Sequence, residues 1–189
     1  PFIKRLKAKE PQDAAKTFSV RHGFRMELIA HEPLLRDPVS ITYDENGAMY
    51  AVEMTAYPHP HRSNEQALGQ VRLLLDADQD GSFDSSHVFA DKLSTPTSAI
   101  CWKGGVFVAS PPDLWYLKDT DGDDKADIKK LLLHGFDSGD THHAIGAFTW
   151  GPGGGLYLHE GTFFTTRVET PYGPVRNAHG GIYRYDPKT

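Results

Sequence analysis

Three segments of the chain repeat one pattern and decide the fold: PVSITYDENGAMYAVEM at residues 38–54, PTSAICWKGGVFVAS at residues 96–110, and HAIGAFTWGPGGGLYLHEG at residues 143–161. Each segment reads as an apolar strand, a glycine turn and a second strand rich in aromatic residues. The turn glycines are Gly47, Gly105 and Gly155. A pattern that recurs at intervals of about 50 residues indicates a repeat architecture.

A second and a third kind of strand follow these segments. The second kind reads QVRLLLD, DLWYLKD and GIYRYD in the three units, and the third kind reads HVFADKL and IKKLLLHGF in the first two. Each unit is therefore predicted to be four short antiparallel strands in meander order, as in a β-propeller blade of roughly 40 to 50 residues. The alternative is a β-sandwich built from the same short strands, but three matching units in fixed order favour the all-β propeller.

The repeat also sets the predicted domain boundaries. Residues 1–23 are a leader with a short helix near residues 11–18, and residues 24–189 are a partial propeller. The lone strand FRMELIAHEP at residues 24–33 is expected to complete the last blade of a closed ring. Three blades cannot close a ring, and an open edge exposes unpaired backbone groups, so the chain is expected to be part of a longer protein. The predicted blades lie at about residues 37–93, 94–136 and 137–189, the last of them incomplete.

Composition excludes several classes of function. The formal net charge is −5 at pH 7 and no basic stripe offsets it, which argues against a nucleic-acid partner. The sequence has no apolar run of about 18 residues, so it predicts no transmembrane segment. Cys101 is the only cysteine, so neither an internal disulfide nor a CxxC metal site can form.

Two aspartate-rich loops lie between the second and third kinds of strand: DADQDGSFD at residues 76–84 and DTDGDDKAD at residues 119–127. Both have Asp at positions 1, 3, 5 and 9, by which a tight loop wraps a hard cation in oxygen ligands. Position 6 is Gly81 in the first loop and Asp124 in the second, so the second loop is expected to be more strained or differently shaped. Calcium is the predicted ion, and its predicted ligands are Asp76, Asp78, Asp80, Asp84, Asp119, Asp121, Asp123 and Asp127.

Neither loop is a complete EF-hand, because position 12 holds His87 or Lys130 instead of Glu and the flanks read as strands. The alternative to a metal site is a pair of solvated acidic turns. Carboxylates ~4 Å apart repel by about 1 kcal/mol per pair even at the dielectric constant of bulk water. Nine Asp in two such short loops therefore favour a bound cation.

Four histidines lie in loops that a propeller would bring near its channel, namely His59, His61, His142 and His143. One interpretation is that they are ordinary loop residues. A second is a zinc site made from these four, although their spacing matches no local zinc motif. A third is that one of them is a general base, which takes a proton from a substrate hydroxyl.

The chain resembles two related groups of proteins. Through HGFRMELIAHEPLLRDPVSITYDENGAMYAVEM, VFADKLSTPTSAICWKGGVFVASPPDLWYLKDTDGDDKAD and GGIYRYDPKT it resembles the membrane-bound dehydrogenase domain of planctomycetes and verrucomicrobia. Those domains often precede a haem-binding CxxCH cytochrome domain. The chain is also similar to the soluble quinoprotein glucose and sorbosone dehydrogenases, which are six-bladed propellers. These resemblances imply the N-terminal part of an exported bacterial protein, in the periplasm or outside the cell.

The quinoprotein resemblance implies a mechanism. It rests on His143, Gly146, Gly151 and Pro152, which have the spacing of the quinoprotein catalytic motif. It implies that His143 takes a proton from a sugar or alcohol hydroxyl, with pyrroloquinoline quinone as hydride acceptor and a downstream cytochrome c domain or another electron acceptor. Since consecutive strand residues face opposite sides, His143 is expected to face the channel and His142 to point away. The alternative function is a non-catalytic, calcium-stabilised propeller that serves as a binding or scaffold module.

Overall fold

The structure, a computed structural model, describes residues 7–55, 57 and 69–188. These residues contain one short helix, α1 at Pro11–Ala15, and are otherwise folded as strands and connections. The first blade consists of β1 Pro38–Tyr43, β2 Met49–Glu53, β3 Gly69–Leu75 and β4 Ser85–Leu93. The second blade consists of β5 Ser98–Trp102, β6 Gly105–Ser110, β7 Asp113–Lys118 and β8 Ile128–His134. The third region contains β9 Gly146–Trp150, β10 Leu156–Glu160, β11 Thr165–Val168, β12 Val175–Ala178 and β13 Gly181–Tyr185.

The predicted meander is present in the first two blades, each of which is a four-stranded antiparallel sheet in chain order. The third blade is the sheet of β9, β10 and β13. Its β13 pairs with β10 from Leu156 opposite Tyr185 to Glu160 opposite Gly181. The GIYRYD strand therefore takes the place predicted for it. The hairpin of β11 and β12, inserted between β10 and β13, is not foreseen by the repeat.

The second blade distinguishes a propeller from a sandwich. All six residues of its strand β6 are buried. Because successive strand residues point to opposite faces, Val106 and Val108 pack in a cluster with the first blade. Phe107 and Ala109 point the other way and pack in a cluster with the third blade. A sheet covered on each face by a neighbouring sheet is the packing of consecutive propeller blades, so the predicted all-β, propeller-type fold is confirmed.

The blades have two distinct ends. The inner strands β1, β5 and β9 lie side by side. Val39, Thr97 and Gly146 lie within one residue of the starts of these strands. They line one cavity at the end of the blades that we call the upper face. The meander places the turns after the inner strands, together with both aspartate loops, at the opposite end, which we call the lower face. The candidate metal loops and the histidine-bearing loop 135–145 are therefore on opposite faces.

A glycine with positive φ lies in each turn between the first and second strands of a blade. These glycines are Gly47 at +86°, Gly104 at +69° and Gly154 at +79°. In the second and third blades the left-handed residue thus precedes the predicted Gly105 and Gly155 by one position. Where two or more glycines are consecutive, the sequence does not reveal which of them adopts the positive φ.

The N-terminal segment departs from the prediction. The helix is shorter than expected, since α1 covers only Pro11–Ala15. Residues 24–33 form no strand in the described part of the chain, and their predicted place in the last blade of a closed ring stays a prediction. The segment is tied to the first aspartate loop by one backbone bond, from Phe83 N to Ile29 O at 2.9 Å. Ile29 also packs against the apolar cluster that contains Met49.

Candidate functional site

Three carboxylates converge in each aspartate loop, at positions 1, 3 and 9. The candidate ligand atoms of each trio lie within 4.8 Å of one another. An all-oxygen, anionic set of this size suits calcium, whose ligands lie at ~2.3 to 2.6 Å. The residues of both loops therefore fit a calcium ion. The first trio is Asp76, Asp78 and Asp84, and the second is Asp119, Asp121 and Asp127.

The Asp at position 5, predicted as a ligand, is outside both trios. Asp80 Oδ1 accepts the N–H of Ser82 at 2.8 Å. Asp123 Oδ1 accepts the N–H of Lys125 at 3.0 Å in the same way. Each side chain thus closes a local Asx turn with the amide two residues on. Asp78 and Asp119, which belong to the trios, make the same kind of bond with the amides of Asp80 and Asp121.

The two loops share one backbone conformation, contrary to the expectation of a different second loop. Positions 4 and 6 both have positive φ, at Gln79 (+61°) and Gly81 (+93°) in the first loop, and at Gly122 (+82°) and Asp124 (+66°) in the second. The glycine has only moved from position 6 to position 4. Asp tolerates the left-handed region better than most residues do, so Asp124 can take the other site.

Backbone amides fix the carboxylates at positions 1 and 9. Asp119 accepts the N–H of Gly122 at 2.7 Å and that of Asp124 at 2.9 Å. The Gly122 bond is the main cause that lowers the pKa of Asp119 below its ordinary value. Asp127 accepts the N–H of Thr120 at 2.6 Å. The second loop therefore holds the carboxylates of Asp119 and Asp127 in place through its own backbone amides.

Each loop is also bonded to the element that precedes its blade. At position 8 of the second loop, Ala126 N donates to Phe89 O on β4 at 2.8 Å. At the same position of the first loop, Phe83 N donates to Ile29 O at 2.9 Å. The carbonyl of Ile29 thus plays the part for the first loop that the carbonyl of Phe89, on the outer strand β4, plays for the second loop. An ion in either loop would stabilise a contact between neighbouring elements as well as a turn.

The histidine site on the upper face is built around one carboxylate. Asp140 Oδ1 lies 2.9 Å from both the backbone N and the Nδ1 atom of His142. The backbone bond is the main cause that lowers the pKa of Asp140. Since a carboxylate only accepts, Nδ1 carries the proton and Nε2 presents its lone pair. The Tyr57 hydroxyl lies 2.7 Å from that Nε2.

His142, expected to point away from the channel, lines the upper-face cavity, and His143, expected to face the channel, does not line it. Both precede β9, which begins at Gly146, so the alternation of a strand does not govern them. His142 lines the upper-face cavity of about 320 Å³. The His143 ring packs against Phe163, with centroids 5.8 Å apart, and its Nδ1 atom is buried without a hydrogen-bond partner in the described structure.

Sequence reasoning missed Asp140 and Tyr57. Asp140 had a usable signal, because an Asp two residues before a histidine can accept from both its amide and its ring. Tyr57 had none, since it is 85 residues from His142 along the chain. His59 and His61 of the zinc hypothesis lie outside the described residues.

The lining of the upper-face cavity bears on the quinone that the family resemblance implies. Pyrroloquinoline quinone is a polycarboxylate and needs cationic partners. Among the described residues, those that line the cavity include neither Lys nor Arg. They do not fit the quinone.

One family matches the chain. Residues 10–189 match the family described as a domain of unknown function, DUF7133. No curated protein is similar enough to match. In the described residues, no helix has both the length and the apolar character needed to cross a membrane.

Proposed function

The chain belongs to the DUF7133 family, and we propose that it is part of an exported, calcium-stabilised propeller of the dehydrogenase type, which oxidises a sugar or alcohol hydroxyl. The observation that carries this proposal is the Asp140–His142 pair at the upper cavity. A carboxylate that fixes the imidazole tautomer leaves the other ring nitrogen ready to accept a proton from a hydroxyl.

His142 is the proposed base, and the substrate hydroxyl takes the position of the Tyr57 hydroxyl at Nε2. As the O–H proton moves to Nε2, the imidazolium that forms is stabilised by Asp140, whose pKa is already low. His143, which has the quinoprotein spacing, is the second candidate, and its Nδ1 lies 3.8 Å from the same carboxylate. The described residues supply only this proton transfer. The acceptor of the two electrons is proposed from the family resemblance alone, as a quinone and a cytochrome c domain. Because the described lining of the cavity does not fit the quinone, no step is assigned to either group.

Calcium has a structural role in this proposal. Asp76, Asp78 and Asp84 would hold one ion, and the equivalent trio of the second loop would hold another. Both loops are at the lower face, away from His142 and His143, so the ions would contribute stability and not chemistry. A ligand that binds only the folded state stabilises it by mass action.

The test is an assay of the protein with aldoses and alcohols, an artificial electron-acceptor dye and added quinone. His142→Gln should lower kcat/KM by ~10²- to 10⁴-fold, the usual worth of a general base. His134→Gln is the matched control, because His134 is also paired with a carboxylate, Asp113 at 2.6 Å, but does not line the cavity. If His142→Gln retains full activity while His143→Gln loses it, the base is His143. If both retain it, the proposed site is wrong.

A second function has its own support. The hairpin of β11 and β12 and the turn before it present large apolar side chains to solvent, with Phe163 78% and Tyr172 92% exposed. Together with a cavity that has no cation among its described lining, this favours a non-catalytic propeller used as a binding or scaffold module. Absence of turnover with every substrate and acceptor, combined with calcium-dependent stability, would select this function.

A further inference from the structure

A groove on the outer wall separates the first two blades. It has a volume of about 520 Å³ and runs between β4 of the first blade and the second aspartate loop and β8 of the second blade. Its floor is apolar and includes Phe89 and Leu117, both buried. Both flanking blades have all four strands, so this groove lies between complete sheets.

Three cations line the groove, from both of its walls. Lys92 belongs to the first blade, and Lys125 and Lys129 belong to the second. Within the described part of the chain, none of the three forms an ion pair, and Asp91 is the one acidic residue of the lining. Lys129 is placed by the Trp115 ring, whose centroid is 5.0 Å from Nζ. A chain with a net charge of −5 therefore has a groove with an excess of positive charge.

We propose that this groove binds a small organic anion, a phosphate or sulfate ester whose body has an apolar face. Lysine is a compact point charge with rotatable donors, which suits a tetrahedral oxyanion. The groove volume lies within the range of about 300 to 1,000 Å³ that is usual for small-molecule sites. An anionic group would meet Lys92, Lys125 and Lys129, while the body of the ligand covers the floor beside Phe89.

The second aspartate loop forms one end of the groove, because Lys125 and Ala126 are its positions 7 and 8. Ala126 N donates to Phe89 O at 2.8 Å, so the loop fixes the width of the groove at this point. The trio of Asp119, Asp121 and Asp127 is close by in sequence and would repel an anion unless a cation neutralised it. The effect of this trio on anion binding rests on the proposed calcium site, whereas the groove itself does not. Ester binding is therefore measured both with calcium and after chelation.

The experiment is a titration of the ¹⁵N-labelled protein with glucose 6-phosphate, glucose 6-sulfate and uncharged glucose, followed by the amide signals. Saturable shifts are expected at Ala90, Lys125 and Ala126 with one or both esters, and none with glucose. Comparison of the two esters distinguishes the phosphate source from the sulfate source. Each of Lys92→Gln, Lys125→Gln and Lys129→Gln should weaken binding about 2- to 5-fold, as expected of exposed charge pairs.

Lys130→Gln is the matched control, because Lys130 neighbours Lys129 on β8 but is not part of the lining. It should leave the affinity unchanged, and the triple lysine variant should lose binding while its amide spectrum stays that of a folded protein. Weaker ester binding after chelation would support an effect of calcium in the second loop on the affinity. Unchanged ester binding would show that the groove binds the ester without that effect. Shifts that do not saturate, that lie elsewhere, or that persist in the triple variant would overturn the proposal.

Discussion

The lower and upper faces of the blades are assembled in different ways. On the lower face, each aspartate loop is nine consecutive residues, and the same trio of positions converges in both. On the upper face, the site joins Tyr57 from the first blade to Asp140 and His142 from the connection into the third blade. The lower face is thus a repeated local device, and the upper face is a single non-local one. Loss of a residue should therefore affect stability on the lower face and chemistry on the upper face.

The largest expected effect is on the upper face. Asp140→Asn replaces an acceptor-only carboxylate with an amide that can also donate, so the His142 tautomer is no longer fixed and the imidazolium loses its counter-charge. Turnover in the dye assay should therefore fall on the order of 10²- to 10⁴-fold, as when the base itself is lost. Asp113→Asn breaks the comparable Asp113–His134 pair outside the cavity and should leave turnover unchanged. The melting temperature should move little in either variant. An Asp140→Asn variant with normal turnover would contradict a catalytic upper face.

Calcium removal should give the next largest effect, and on stability alone. At a concentration 100 times its Kd, one ion adds about 2.7 kcal/mol to the free energy of unfolding. For a chain of this size, that corresponds to roughly 5 to 10 °C in Tm for each site. Calorimetry before and after EGTA measures the change. In the double variant Asp76→Asn, Asp119→Asn, chelation should lower the Tm little further. An unchanged Tm in the unaltered protein would show that the loops are acidic turns without a bound ion.

A smaller effect separates the ligands within one loop. Asp78→Asn removes a member of the first trio and should weaken calcium binding on the order of tenfold, because affinity depends on the number of charged ligands. Asp80→Asn alters only an Asx turn and should change the affinity much less. Calcium titration calorimetry of both variants decides the matter. An equal loss of calcium affinity in the two variants would show that Asp80, at position 5, is also a ligand.

An effect of similar size concerns the backbone that the two loops share. Gly81→Ala and Gly122→Ala place a Cβ at φ values of +93° and +82°, which should cost about 1 to 2 kcal/mol in calcium-free protein. Gly153→Ala is the matched control, since Gly153 lacks a positive φ and a Cβ there meets nothing within 4 Å. Denaturant unfolding measures all three variants. An equal cost at Gly153 would show that left-handed strain is not the cause.

The fold and the convergence of carboxylates in the aspartate loops could be predicted because their signals are local and repeated. Strand alternation, turn glycines and the spacing of the Asp residues recur at fixed intervals, so each unit supports the others. The side-chain directions at both sites depend on geometry that one-dimensional spacing does not contain. Asp80 and Asp123 lie outside the carboxylate trios, and His143 packs beside Phe163 because the chain has not yet entered its strand. Tyr57 reaches the site only through the packing of blades.

Anomalous diffraction from crystals of the protein grown with calcium tests the contrast between the two faces most directly. Two calcium peaks are expected on the lower face. One should be bound by Asp76, Asp78 and Asp84, the other by Asp119, Asp121 and Asp127, with oxygen distances of ~2.3 to 2.6 Å. No peak should lie at Asp140 and His142. Empty aspartate loops, or an ion held by the Asp140–His142 pair, would contradict a structural lower face and a chemical upper face.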